Sequence, residues 1–147
     1  MYTWFRKTLN KQNENDKGFT LIELLVVIII IGILAAIAIP VFLNQRTSAW
    51  KASVVTDVHN ATLAVETYGT ANNGSFTGLL ATEKHVGPGG TGATASPVLS
   101  FVVTKGNTVT VNKVSGTEYN IVGTNENLTG TGNTYTYGSA SGAGSWA

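Results

Sequence analysis

The sequence predicts an α+β fold, in which one long N-terminal α-helix carries a small antiparallel β-sheet on its second half. Three patterns support this prediction. Residues 24–43 contain no charged side chain, residues 54–68 carry a helical apolar stripe, and short alternating segments follow from residue 98. A sheet and a helix pack stably when the apolar face of one covers the apolar stripe of the other. We expect a sheet of three or four strands.

The apolar run is long enough to cross a membrane. Leu, Ile, Val or Phe occupies 15 of the 20 positions between Glu23 and Asn44. At about 1.5 Å per residue the run covers about 30 Å, the thickness of a bilayer's hydrocarbon core. Each of these residues favours insertion by roughly 0.3–0.6 kcal/mol, so together they favour it by about 5–9 kcal/mol. This total outweighs a cost of about 3 kcal/mol for one carboxylate. The alternative, a buried helix of a soluble protein, is disfavoured because the remaining chain is short and polar.

The segment before the run is basic, and this predicts an orientation. Lys and Arg are in excess over Asp and Glu between residues 1 and 18, so we expect this end to stay cytoplasmic. Arg46 and Lys51 follow the run on the far side and make the asymmetry modest. An ordinary secretory signal would be cut after the apolar run, near residues 35–38, but apolar residues continue to Leu43.

The junction between the basic segment and the run is the most specific motif. Residues 17–23 read KGFTLIE. Together with the run to Pro40 and residues 42–45, they resemble a type IV prepilin with a class III signal peptide. The resemblance implies that a membrane-embedded prepilin peptidase cuts between Gly18 and Phe19 and then methylates the amine of Phe19. Gly18 has no side chain, so an extended backbone can enter a confined peptidase site there.

Glu23 is the candidate assembly residue. Ionisable groups inside membrane spans are costly and usually mark a function or a partner. After cleavage, the amine of Phe19 would lie about one helical turn away and could form a salt bridge with Glu23. In an assembled bundle, the amine of a neighbouring subunit could take that place. The alternative is a carboxylate that only reaches back to the membrane surface.

Gly32 and Pro40 weaken the helix. Proline removes one backbone hydrogen bond, and glycine costs about 1 kcal/mol relative to alanine in a helix. By resemblance to related pilins, the segment between these residues would be the helix break in the assembled filament. A continuous, kinked helix in the isolated subunit is the equal alternative.

Beyond the run, the helix is expected to continue as an amphipathic helix over residues 44–71. Its apolar stripe repeats at i, i+4, i+7, i+11 and i+14, which is typical of a packing face. The stripe comprises Val54, Val58, Ala61, Val65 and Tyr68.

The remaining chain divides into a loop and a sheet. Residues 72–97 are Gly-rich and contain the breaker GPGG at 87–90, which predicts a loop. Alternating apolar residues predict strands at 98–104, 108–114, 118–122 and 134–137, with hairpin turns at 105–107 and 115–117. The Gly/Ser-rich residues 138–147 are expected to form a mobile tail that Trp146 could hold down. The expected organisation is therefore leader 1–18, apolar helix 19–43, amphipathic helix 44–71, loop 72–97, and sheet with tail 98–147.

Composition argues for a structural module. The chain has no cysteine, so disulfides cannot stabilise the head, by which we mean the predicted sheet and the part of the helix that it covers. Many pilins of Gram-negative bacteria differ in this respect. Without the leader, five basic side chains stand against six acidic ones, which gives no electrostatic footprint for nucleic acid. DNA is expected to bind only through a whole fibre.

The two histidines are far apart in sequence, and Glu83 with His85 is expected in a solvated loop. We therefore expect no catalytic residue, metal site or cofactor.

The resemblance implies a structural subunit, most simply the major pilin of a type IV pilus. Such a homo-oligomeric fibre serves adhesion, twitching motility or DNA uptake. Its precursor would wait in the cytoplasmic membrane until an assembly platform and an ATPase lift it into the extracellular fibre. A pseudopilin of a type II secretion system or a minor pilin is the alternative, because the N-terminal motif is shared. A signal-anchored surface protein that keeps its leader is a further alternative.

Overall fold

The structure is a computed structural model that describes residues 18–88 and 98–147. It divides into two compact units, Met1–Phe42 and Leu43–Ala147. The helix α1, Leu21–Ala71, begins in the first unit and ends in the second. Residues 1–17 of the expected leader, the second half of the GPGG breaker and residues 91–97 lie outside the described residues.

The described part of the first unit consists of apolar helix with no cover. Between residues 18 and 42 every residue is exposed except Ala35, which is half-buried. The most apolar window of α1 is long and apolar enough to cross a membrane, and none of it is buried inside the chain. Pro40 lies within the helix and does not end it.

The second unit contains a five-stranded sheet. Its strands lie in sequence order and every neighbouring pair is antiparallel. This confirms the α+β class with an antiparallel sheet, but the expected count of three or four strands is wrong. The strands are β1 (Thr82–Val86), β2 (Asn107–Lys113), β3 (Tyr119–Asn125), β4 (Tyr135–Gly138) and β5 (Ala143–Trp146).

The two extra strands and one missing strand have physical reasons. β1 lies in the segment predicted as a loop, and it pairs with β2 from Thr82↔Asn112 to Val86↔Thr108. The segment 98–104 was predicted as a strand but forms none, because β1 and β3 occupy both edges of β2. The tail predicted to be mobile forms β5, whose Trp146 ring lies 5.3 Å from that of Tyr135.

The predicted apolar stripe of the helix is the core of the second unit. Its first four members, Val54 to Val65, are no more than 1% exposed, and Tyr68 is partly buried against them. The sheet contributes alternate residues of its central strands, including Val109, Val111, Tyr119 and Ile121. Gly123 on β3 permits the close approach, since a Cβ there would lie 2.6 Å from Val58 and 2.7 Å from Val54.

A buried polar network joins the helix to the sheet. The Asp57 carboxylate, which is 3% exposed, accepts hydrogen bonds from the backbone N–H of Thr104 at 2.8 Å and its hydroxyl at 3.0 Å. It also accepts one from the Asn107 amide at 2.7 Å. The Asn125 amide in turn donates to the Asn107 carbonyl at 2.6 Å. Buried polar groups satisfied in this way fix the register of the helix against β2 and β3.

The pair Glu83 and His85 does not lie in a solvated loop, as the sequence had suggested. Both side chains are on the buried face of β1, and the His85 ring lies 4.1 Å from that of Phe101. His85 Nε2 is 3.7 Å from Glu83 Oε2, and neither atom has a hydrogen-bond partner. Burial lowers the pKa of His85, although the nearby Glu83 carboxylate acts in the opposite direction.

Loss of the Asp57 carboxylate should destabilise the second unit. Asp57→Ala leaves the donors of Thr104 and Asn107 without their acceptor, so we expect a loss of about 3 kcal/mol in the free energy of unfolding. Denaturant unfolding of the detergent-solubilised chain, followed by tryptophan fluorescence, measures the loss. The control Glu118→Ala removes an exposed carboxylate and should change stability by no more than about 0.5 kcal/mol. A loss under about 1 kcal/mol for Asp57→Ala would show that the network is dispensable.

His85 should make the fold sensitive to acid. Its pKa is lower in the folded chain than in the unfolded chain, so the unfolded state takes up the proton first. The stabilisation is present above about pH 6.5 and is lost as the pH falls through the lowered folded pKa, with a slope limit of about 1.4 kcal/mol per pH unit. Unfolding curves between pH 8 and pH 5 test this. His85→Gln should remove this slope, whereas the exposed-histidine variant His59→Gln should keep it; equal slopes in both variants would contradict the assignment.

Candidate processing and assembly site

The N-terminus of α1 is closed by a reciprocal pair of side chains. The hydroxyl oxygen of Thr20 accepts a hydrogen bond from the Glu23 backbone N–H at 3.2 Å. Glu23 Oε2 accepts one from the Thr20 backbone N–H and another from the Thr20 hydroxyl, both at 2.8 Å. This is a capping box, which satisfies backbone donors that have no partner within the helix.

The capping box explains how a carboxylate can sit at the start of an apolar helix. A negative charge in the first helical turn is stabilised by the positive end of the helix dipole. Both of its hydrogen bonds fall on Oε2, and a carboxylate has about four lone-pair sites. The Oε1 atom of Glu23 therefore keeps its capacity to accept a further donor.

The structure places the residues that the sequence singled out at one end of the helix. Phe19 is 93% exposed, and a Cβ at Gly18 would meet no atom within 4 Å. Glu23 contacts Thr20 rather than Phe19 in this chain, in which Gly18 still precedes Phe19. The sequence analysis missed Thr20, although threonine followed three residues later by glutamate before an apolar run is a capping-box signal.

The candidate helix-breaking residues lie within a continuous helix. A Cβ at Gly32 would also meet no atom within 4 Å, so no neighbour in the structure requires glycine at this position. Pro40 is eight residues further along α1. The packing of the described residues thus does not explain why position 32 is glycine or position 40 is proline.

The described residues form no metal-binding cluster. In the two described ranges, no three His, Cys, Asp or Glu side chains come together as a metal ion would require. Glu83 and His85 are a pair of such residues and lie on β1, in the second unit.

Comparison with known proteins matches the N-terminal part of the chain. The family model described as the prokaryotic N-terminal methylation motif matches residues 14–39. The type IV major fimbrial protein FimA of Dichelobacter nodosus is 48% identical over 52 residues, which are 35% of this chain and 33% of that protein. The type IV wide pilus major component PilA4 of Thermus thermophilus is 48% identical over 60 residues, 41% of this chain and 46% of that protein.

A second kind of relative matches the same region. The type II secretion system core protein G of Escherichia coli is 33% identical over 63 residues, 43% of each chain. The chain spans between about a third and a half of the length of these curated relatives. No solved structure matches the chain significantly.

The residues matched by the methylation motif include the junction at Gly18, the capping box of Thr20 and Glu23, and most of the uncovered apolar helix. Relatives from type IV fimbriae and pili share this part of the chain. These findings show that the N-terminal part of the chain carries the prokaryotic N-terminal methylation motif and is similar there to major subunits of type IV fimbriae and pili and to a type II secretion core protein.

Proposed function

We propose that the protein is the major structural subunit of a type IV pilus. The observation that carries the proposal is the apolar half of α1, which begins within the KGFTLIE junction and is covered by none of the described residues. Lipid covers this surface in the precursor, and the same surface of other subunits covers it in the fibre. The relatives FimA and PilA4 are named as major components of such fibres.

Processing would occur at Gly18. An exposed junction with no neighbouring side chain can be drawn into a peptidase in an extended conformation. The cut between Gly18 and Phe19 leaves the apolar helix attached, so the product stays in the cytoplasmic membrane with its head outside. Methylation of the Phe19 amine completes the mature N-terminus. A prepilin peptidase, an assembly platform and an ATPase are the partners that this route requires.

Glu23 would then select the register of assembly. In the precursor its Oε2 atom serves the capping box with Thr20, while Oε1 can accept another donor. The amine of Phe19 in a neighbouring subunit supplies a charged donor of the right sign. Inside a low-dielectric bundle an unpaired carboxylate is costly, so only a register that brings the two groups together is favourable.

Gly32 and Pro40 would allow the helix to open between them in the fibre. Glycine at 32 is not needed by any neighbour in the single chain, and proline at 40 lacks a donor for the helix. Both residues lower the cost of melting the segment when neighbouring subunits supply other contacts.

A type II secretion pseudopilin is the second candidate. It is favoured by the relatives named core protein G, which match up to 68 residues of this chain at 35% identity. The two functions share the junction and the apolar helix, so the assembled product distinguishes them.

Intact mass spectrometry of fibres sheared from the native cells tests the proposed function. A chain starting at methylated Phe19, as the dominant protein, is the expected result. A chain cut after Gly18 but found only in membranes would favour the pseudopilin or a minor pilin. In cells with an active peptidase, a chain that still begins at Met1 would contradict the assignment. Gly18→Val should block the cut without disturbing the fold, whereas Gly32→Ala, at an equally open position, should be cut normally.

Two matched substitutions separate the charge of Glu23 from its capping role. Glu23→Gln keeps an acceptor for Thr20 but removes the charge, so we expect normal cleavage and at least a tenfold loss of fibres. Thr20→Val removes the two hydrogen bonds of the Thr20 hydroxyl but keeps the backbone donor and the charge, and it should still assemble. Quantitative immunoblots of sheared fibres and of membranes measure both outcomes. Fibres from Glu23→Gln together with none from Thr20→Val would show that the cap, and not the charge, controls assembly.

A further inference from the structure

We propose that the second unit carries a phospholipid headgroup anchor at its N-terminal end, built from Arg46, Trp50, Lys51 and Trp146. This inference rests on the proposed function, because it requires the apolar helix to span a membrane. Its partner is the phosphodiester layer of the outer leaflet. The anchor would hold the head against the membrane surface before assembly.

Two cation–ring pairs form the anchor. The guanidinium carbon of Arg46 lies 4.6 Å from the centre of the Trp50 ring, one helical turn away on α1. The Nζ atom of Lys51 lies 4.8 Å from the centre of the Trp146 ring on β5. Lys51 also donates a hydrogen bond to the carbonyl of Gly132 at 3.0 Å, which ties the loop between β3 and β4 to this point of the helix.

The depth of these residues suits the headgroup layer. The uncharged run ends at Leu43, so Arg46 begins about 4.5 Å beyond it and Trp50 about 10 Å beyond it along the helix axis. The polar layer on each side of the hydrocarbon core is about 5–8 Å thick. Side chains on a helix tilt toward its N-terminus, which brings the Trp50 ring back to the level of Arg46.

The second pair, Lys51 and Trp146, joins α1 to the last strand of the sheet. Among the described residues, the hydrogen bonds and cation–ring contacts between α1 and the sheet begin at Lys51 and continue with Ser53 and Asp57. Trp146 is half-buried, and the three residues of β5 before it are exposed. The indole of Trp146 is thus held at the edge of the head nearest in sequence to the apolar run.

The chemistry of the four side chains matches a phospholipid surface. The Trp50 ring covers one face of the Arg46 guanidinium, while the N–H groups around its edge can still donate to a phosphodiester. Tryptophan prefers the membrane interface because its ring is apolar and its N–H is polar. Lys51 adds a second positive charge for an anionic surface. Arg46 and Lys51, which reduce the difference in positive charge between the two ends of the apolar run, would thus bind the membrane interface.

Fluorescence of the full chain in vesicles tests the anchor. The chain, carrying Trp4→Phe so that only Trp50 and Trp146 report, is reconstituted in vesicles of three parts phosphatidylethanolamine to one part phosphatidylglycerol. Acrylamide quenches the fluorescence of tryptophan that is accessible from water, and lipids brominated near the headgroup quench tryptophan that lies at the lipid surface. The two quenching efficiencies give the ratio of lipid-shielded to water-accessible tryptophan. We expect Arg46→Ala to lower this ratio about fivefold, since one cation near an anionic surface contributes roughly that factor. Arg46→Lys should retain most of it.

Matched controls keep the result specific. Arg46 is exposed and Lys105 lies in an exposed turn, so Arg46→Ala and Lys105→Ala remove the same charge without touching the core. Lys105→Ala should leave the ratio unchanged. A rise in salt concentration should lower the ratio in the wild-type chain and much less in Arg46→Ala.

Four results would overturn the anchor. Equal accessibility of tryptophan in the wild type and Arg46→Ala would show that Arg46 does not bind the lipid surface. Shielding that disappears when the protein is diluted in lipid would show that a second copy of the chain covers this surface. A chain released from the vesicles by alkaline carbonate would overturn the anchor and the proposed function together, whereas water-accessible tryptophan in a chain that resists carbonate would overturn the anchor alone.

Discussion

The structure depends on one constraint, an apolar helical surface that residues 18–88 and 98–147 leave uncovered. Exposed Leu, Ile, Val and Phe side chains follow one another from Phe19 to Leu43. Water disfavours such a surface roughly in proportion to its area, so lipid or other subunits have to cover it. Both surroundings have a low dielectric constant, and both therefore impose the same requirement on Glu23. Its charge must be hydrogen-bonded within the helix or paired with a cation, and Thr20 already provides the first of these.

The second unit solves a different problem, which is to hold a thin sheet on one helix without disulfides. Apolar burial supplies the attraction, and Gly123 lets the helix approach closely enough for Val54 and Val58 to pack. Apolar contacts alone would not fix the register, since neighbouring valines are nearly interchangeable. The register is fixed by polar ties spaced along α1, at which Lys51 donates to Gly132, Asp57 accepts from Thr104, and Glu66 accepts from the Tyr119 hydroxyl. These ties take the place that a disulfide has in many small secreted folds.

The sequence was sufficient for the elements whose pattern and burial agree, and insufficient where tertiary contacts decide. The apolar run, the stripe from Val54 to Tyr68 and the strands β2 and β3 follow their predicted periods closely. β1 was not predicted because the two buried residues of this five-residue strand are Glu83 and His85. A sequence pattern assigns such polar residues to solvent. β5 has small residues of low strand propensity and forms because β4 and Lys51 hold Trp146. At the candidate site, Gly18, Phe19 and Glu23 were predicted from the motif. The partner Thr20 was not predicted, although threonine three residues before a glutamate at the start of an apolar run is a capping-box signal.

Under the proposed function, the capping box gives a reason why cleavage would be able to precede assembly without exposing a bare charge in the membrane. If Glu23 depended on the amine of Phe19 alone, the uncut precursor would hold an unpaired carboxylate at the start of its apolar helix. Thr20 satisfies Oε2 in the uncut chain, so the carboxylate is hydrogen-bonded before any amine exists. The proposed cleavage would then add a charged donor without requiring that the existing bonds break, since Oε1 can accept it. A carboxylate that served the helix cap through one oxygen and a neighbouring subunit through the other would stay hydrogen-bonded at every stage. Assembly would then need to supply only the pairing of opposite charges, because the helix end is already formed in the uncut chain.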